Sequence, residues 1–154
     1  PSPGFADQAS SLTKSGAGLM ALTGVNTYTG TTNISAGTLA LTGSGTLGTG
    51  NVIVNGTLDI AGITASNYTL GTAQILSGDG TITATSKTLN VNGTLAPGNS
   101  EGSLDVTGDV VLAGTTTSNF EIAGPSSNDL LNVTGSLTYD GALNINTTET
   151  TGSF

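Results

Sequence analysis

The stretch Gly37-Thr38-Leu39-Ala40-Leu41-Thr42-Gly43 (GTLALTG) follows GLMALTG at Gly18–Gly24 and precedes GTLDIAG at Gly56–Gly62. The three heptapeptides start 19 residues apart. Each opens on glycine and carries apolar residues two apart: Met20 and Leu22, Leu39 and Leu41, Leu58 and Ile60. Period-two alternation marks a strand with one buried face. A fixed period of about 20 residues marks units that bury that face by stacking on one another. Degenerate copies open at Gly80, Gly93, Gly102, Gly135 and Gly141, and supply the further pairs Leu104 and Val106, and Leu143 and Ile145.

Between these units lie second strands of the same kind. Val52 and Val54 precede Asn55-Gly56, Leu89 and Val91 precede Asn92-Gly93, and Leu131 and Val133 precede Gly135. Asn-Gly between alternating strands is also the strongest short-range hairpin signal, so an antiparallel sandwich is the alternative. Three features favour a solenoid: turns of one or two small residues, closure of the repeat at about 19 residues, and few long loops. A sandwich core also recruits more aromatics than three Tyr, three Phe and no Trp. The reading is an all-β chain folded as a parallel β-helix of about seven coils, some 35 Å long at about 4.8 Å per coil. Glycine at the openings supplies the positive φ that corners demand. Leu39 is expected to lie over Met20, and Leu58 over Leu39. Residues 1–11 read as a cap or linker, 12–146 as the repeats and 147–154 as a tail.

Composition agrees. Of 154 residues, 24 are Gly, 29 Thr, 16 Ser and 13 Asn, more than half the chain. Thr, Val and Ile favour strands and Gly and Asn favour turns; most of these residues are poor helix formers. The net charge is −8 with two lysines, Lys14 and Lys87, and no arginine. Phosphate backbones are bound by clustered Lys and Arg, so nucleic acid is excluded as a partner, and anionic membrane surfaces are disfavoured. No apolar run approaches the length that spans a bilayer, so no membrane insertion of this segment is expected. Without Cys or His, the chain has no thiolate nucleophile, imidazole base or usual zinc ligand set. The chain begins at Pro1 without an initiator Met, which reads as a processed or trimmed product.

One block carries a specific resemblance. From Leu12 to Gly43 the chain resembles the autotransporter-associated β-strand repeat, in a Thr-Lys-x-Gly-x-Gly opening, an Asn-Thr-Tyr-x-Gly-x-Thr segment and an Ile-x-x-Gly-Thr-Leu strand. Those positions are Thr13, Lys14, Gly16, Gly18, Asn26, Thr27, Tyr28, Gly30, Thr32, Ile34, Gly37, Thr38 and Leu39. Gly93–Ser100 (GTLAPGNS) resembles a segment common late in such passengers, with Glu101 where Pro is usual, and Asp129–Gly135 resembles their Asp-x-Leu-x-Val-x-Gly strand. The resemblance implies a right-handed parallel β-helix exported to the bacterial surface or beyond it.

Candidate chemistry is thin. Glu101, Asp105 and Asp109 are spaced four apart; calcium takes six to eight oxygen ligands, and the repeated calcium-binding nonapeptide is missing. Asp105, between Leu104 and Val106, reads as facing solvent. Tyr28 belongs to the repeat motif and Tyr139 takes an inward slot. Asn26, Asn51, Asn55, Asn90, Asn92, Asn132 and Asn144 gather near turns and are expected to form amide ladders. No catalytic, cofactor or metal residue is assigned. The residues singled out are structural: Gly18, Gly37, Gly56, Gly80, Gly93, Gly102, Gly135 and Gly141 at the turns, and Leu22, Leu39, Leu41, Leu58, Ile60, Leu104, Val106, Leu143 and Ile145 inside. The expected function is a non-enzymatic extracellular scaffold that self-associates through its ends or through neighbouring modules, with a fibre subunit as one form. The alternatives are an adhesin that recognises host glycan or protein through its β faces and, remotely, a polysaccharide-acting β-helix enzyme.

Overall fold

The computed structural model describes residues 10–98, 101–124 and 127–147. These form strands β1 (Leu12–Lys14), β2 (Leu19–Leu22), β3 (Thr32–Ile34), β4 (Thr38–Gly43), β5 (Val52–Val54), β6 (Thr57–Ile63), β7 (Asn67–Leu70) and β8 (Ile75–Gly78). They continue as β9 (Thr81–Val91), β10 (Thr94–Pro97), β11 (Ser103–Leu112), β12 (Thr117–Gly124), β13 (Ser127–Asn128), β14 (Leu130–Val133), β15 (Leu137–Tyr139) and β16 (Ala142–Thr147). No helix occurs among the described residues.

Apart from β12 and β13, sequence neighbours do not pair; strands one coil apart do. The first face stacks β1, β3, β5, β8, β10, β12 and β16, and the second stacks β2, β4, β6, β9, β11 and β14. Seven strands on the first face close about six turns, against the seven coils expected. A third face holds β7, the second halves of β9 and β11, and β15. Pairing between coils is parallel, and only the short return of β13 on β12 is antiparallel among the named strands. The chain is the right-handed parallel β-helix expected. Asn55-Gly56 and Asn92-Gly93 are coil corners and not hairpin turns: the N–H groups of Asn55 and Gly56 donate to the Ile34 carbonyl one coil earlier. Corner and hairpin share the same residue chemistry, so the signal was ambiguous in the sequence.

The core is a set of columns along the axis. Met20, Leu39, Leu58, Ile82, Val106 and Val133 stand in register, each over the next. Leu39 thus follows Met20, and Leu58 follows Leu39, as expected. Leu39, Leu58 and Ile82 are wholly buried, and each contributes about 1.5–3 kcal/mol by leaving water. On the third face Tyr68, Leu89, Val110 and Leu137 form one column and Leu70, Val91, Leu112 and Tyr139 another. The repeats begin with β1 and extend one residue past 146, to Thr147. Residues 1–9 and 148–154, which hold most of the expected cap and tail, lie outside the described residues.

The turn glycines divide among three corners, and the reason for most is not positive φ. Of the eight singled out, Gly37 and Gly141 have φ of +68° and +114°. At Gly56 and Gly80 the constraint is close approach. A Cβ on Gly56 would lie 2.6 Å from the Gly37 carbonyl oxygen, and one on Gly80 would lie 2.2 Å from that of Gly56. Thr57 and Thr81 then donate their N–H groups to those same oxygens at 2.8 and 2.9 Å. Gly93 sits at another corner, its missing Cβ 2.1 Å from the Gln74 carbonyl, and Gly135 at a third, over Gly108. Gly18 is free of crowding, and the Gly102 carbonyl accepts Leu130 N–H at 2.9 Å.

Candidate functional site

The first corner is held by a buried cation. Lys14 takes the inward slot over Ile34 and Val54, where an aliphatic residue is the rule, and is only 6% exposed. Its Nζ donates to the carbonyls of Gly16 at 2.7 Å, Ala36 at 3.0 Å and Ser15 at 3.3 Å. Chain length explains the arrangement. Leu12 and Leu19, Thr32 and Thr38, and Val52 and Thr57 are equivalent pairs on the first three coils, so over these coils the corner shortens by one residue at each step. The first corner is the longest of these three, and Lys14 engages the carbonyls of Ser15 and Gly16 inside it. A buried polar group is tolerated when hydrogen-bonded, and three carbonyls use all three donors of the ammonium.

A side cleft of about 560 Å³ opens between the second and third coils, lined by Gly45–Thr49 on one side and by Thr64, Asn67, Tyr68 and Thr69 on the other. Two side chains bridge it. The Tyr68 hydroxyl accepts the Leu47 N–H at 3.0 Å. Gln74 donates through Nε2 to the carbonyls of Gly50 and Gly48 at 2.6 and 3.2 Å, while its Oε1 accepts the Gly71 N–H at 2.8 Å. Burial pushes the Tyr68 phenol up to about 12; the Leu47 N–H opposes that rise and nearby Tyr28 adds to it. Sequence reading missed Lys14, Tyr68 and Gln74 as structural bridges. For Gln74 the available signal was a lone amide at a corner where the next coil places Gly93.

The expected site residues are otherwise distributed along the rod. Asp105 and Asp109 both lie on β11. The Asp105 carboxylate accepts from Asn132 Nδ2 at 2.7 Å and Ser103 Oγ at 2.9 Å, and the Asp109 carboxylate accepts the Ser136 N–H at 2.8 Å. No group of three or more acidic side chains converges among the described residues. Tyr28 is buried, its hydroxyl 2.6 Å from Thr32 Oγ1. Of the expected amide ladders, an Asn–Asn rung joins Asn144 Nδ2 to Asn119 Oδ1 at 2.9 Å. Asn26 donates through Nδ2 to the Gly24 carbonyl and, one coil on, to the Thr46 carbonyl, and Asn90 donates to Thr69 Oγ1.

The two ends differ. Near the N-terminal end Lys14, Leu22 and Tyr28 are all buried. At the C-terminal end Leu137, Tyr139, Leu143 and Ile145 keep the inward register of the preceding coil but are 44–55% exposed. The expected burial of Leu143 and Ile145 and of Tyr139 is therefore corrected: no described coil covers them. With Phe120, Ile122 and Leu130, Leu143 and Ile145 line an open apolar cleft of about 620 Å³.

Comparison with known proteins agrees with this architecture. Residues 12–41 match the family model described as the passenger-associated-transport-repeat. An extracellular serine protease of Serratia marcescens is 32% identical over 134 residues, which is 87% of this chain and 11% of that protein. The chain thus spans about a ninth of the length of that relative. No solved structure matches. The chain is accordingly a parallel β-helix that carries the passenger-associated transport repeat of autotransporter passengers.

Proposed function

We propose that the chain is a non-enzymatic scaffold module of an extracellular bacterial passenger, spacing or displaying other parts at the cell surface. The observation that carries this reading is the column from Met20 to Val133, in register through six successive strands of one face. Nearly all of the described chain serves that stacking. A chain without histidine cannot by itself assemble a Ser-His-Asp triad, so the protease activity named for the Serratia relative is not carried over to this segment. Similarity to an extracellular protein of Serratia marcescens also supports an extracellular location.

Two measurements test the reading. Antibody against residues 10–147 should label intact source cells or their culture medium; antigen confined to the cell interior contradicts the location. The purified chain should leave casein and acidic polysaccharides uncut; turnover that follows the protein through purification contradicts the scaffold role.

A further inference from the structure

We propose that the side cleft between the second and third coils is a strand-addition site that takes a short, uncharged, extended peptide. The two coils are tied at both ends of it. The Thr64 N–H donates to the Gly43 carbonyl at 2.8 Å on one side, and Gln74 Nε2 donates to the Gly50 carbonyl at 2.6 Å on the other. Between these ties the coils part, over about 560 Å³. Later coils close here backbone to backbone. Asn92, Ala113 and Asp140 donate their N–H groups to the carbonyls of Leu70, Val91 and Leu112 at 3.1, 3.1 and 2.9 Å. In the cleft the Leu47 N–H meets the Tyr68 hydroxyl instead of a carbonyl.

What the cleft lacks is a strand. β7 is the first strand of the third face: the coil before it crosses as Gly45–Thr49 without strand structure, and among the described residues β7 pairs only with β9. Thr88 and Asn92 donate their N–H groups to the carbonyls of Ser66 and Leu70, both at 3.1 Å, so these residues turn their backbone towards the following coil. Alternation along the strand then turns the N–H and C=O groups of Asn67 and Thr69 into the cleft. No other backbone bond among the described residues reaches them. They stand two residues apart, about 6.7 Å, and each offers a donor and an acceptor. An extended peptide repeats its own donors and acceptors at that spacing, and pairing along a free edge is how a strand is added to a sheet. The four residues of β7 set the length of the added segment. The walls set its charge. The chain has ten acidic side chains and none of them lines the cleft, while Lys87 stays on the rim with its Nζ 2.8 Å from the Ala65 carbonyl. A charged side chain inside would be desolvated without a counter-charge, so the cleft selects a neutral peptide and reads its backbone. This binding role goes beyond the scaffold reading and does not depend on it.

Titration of the nitrogen-15-labelled full chain with the peptide acetyl-Thr-Val-Thr-Val-amide, followed by NMR, tests the proposal. The expected result is a saturable shift of the Leu47, Asn67 and Thr69 amides. Thr69→Pro removes the N–H that faces the cleft and no bond to β9, as proline permits on a strand edge, and should weaken binding roughly tenfold or more. Thr69→Ala, which keeps the backbone donor, should bind as the parent does. The same peptide methylated at every backbone nitrogen should bind roughly tenfold or more weakly to the parent chain. That arm leaves the protein unaltered and answers the question even if Thr69→Pro misfolds. No saturable shift at Asn67 and Thr69, undiminished binding of the methylated peptide, or loss of binding in Thr69→Ala overturns the proposal. A shift of the same amides by maltotetraose and not by the peptide assigns the cleft to a saccharide and overturns it. A shift on raising the protein concentration alone, with none from the peptide, assigns the cleft to a second copy and overturns it as well.

Discussion

The ammonium of Lys14 lies 3.0 Å from the carbonyl oxygen of Ala36, on the next coil of the helix. With its bonds to Gly16 and Ser15, it ties the first corner of the rod to the coil beside it. Lys14→Met keeps most of the stem and removes the donors, leaving carbonyls unsatisfied. The expected loss is about 2–3 kcal/mol, read as a lower denaturation midpoint. Hydrogen exchange should locate that loss in residues 12–41 first. Lys14→Arg should not restore stability, because a planar guanidinium does not present three donors around one point.

The Tyr68 hydroxyl stands in for a backbone acceptor at Leu47. Tyr68→Phe leaves that N–H unpaired and should cost about 1–2 kcal/mol at neutral pH. The same phenol makes the protein alkali-sensitive. Its folded-state pKa of about 12 lies above the ordinary value of 10.0. The folded state therefore retains the proton where the unfolded chain has lost it. The stabilisation is complete below about pH 10 and falls as pH rises towards about 12, by up to about 1.4 kcal/mol per pH unit. Urea titrations at rising pH should show that slope in the parent and a shallower one in Tyr68→Phe.

Gly18 and Gly80 open equivalent strands and should respond oppositely to alanine. Nothing lies within 4 Å of a Cβ on Gly18, whereas a Cβ on Gly80 meets the Gly56 carbonyl at 2.2 Å. Gly80→Ala should lose about 1–3 kcal/mol through forced separation of two coils. Gly18→Ala should be neutral or slightly stabilising, since alanine restricts the unfolded chain. Paired thermal melts check the difference.

These glycines show what was legible in the sequence. That Gly37, Gly56 and Gly80 mark corners followed from spacing alone. The reason did not, because the approach of a neighbouring carbonyl belongs to the coil 19–24 residues earlier. The columns were legible for the same reason the corners were: Met20, Leu39 and Leu58 recur at a fixed period. Lys14 was not legible as a core residue, since nothing beside Thr13 and Ser15 distinguishes it from a solvated lysine. Its burial arises from a corner longer than the one after it. The exposure of Leu143 and Ile145 was illegible too, because an inward residue is buried only when another coil covers it.

Ser118 interrupts the first-face column, in register with Leu95 and Leu143. It is wholly buried and its Oγ has no hydrogen-bond partner. Desolvating an unpaired hydroxyl is unfavourable, so Ser118→Ala should stabilise the protein by about 1 kcal/mol. Chemical denaturation of the variant beside the parent provides the check.

Apart from the short β13, strands pair with the neighbouring coils and not with their sequence neighbours. Thr38 and Thr57 are in register on adjacent parallel strands, about 4.8 Å apart, within the range a disulfide spans. Ile53 and Leu58 would face each other if Asn55-Gly56 were a hairpin turn, but here they lie on different faces of the coil. Disulfide formation in the double variants Thr38→Cys/Thr57→Cys and Ile53→Cys/Leu58→Cys, measured by mass spectrometry after oxidation of the folded protein, is the most direct test. The β-helix predicts rapid, near-complete closure of the first pair and none of the second. Closure of the second pair with the first left open would contradict it.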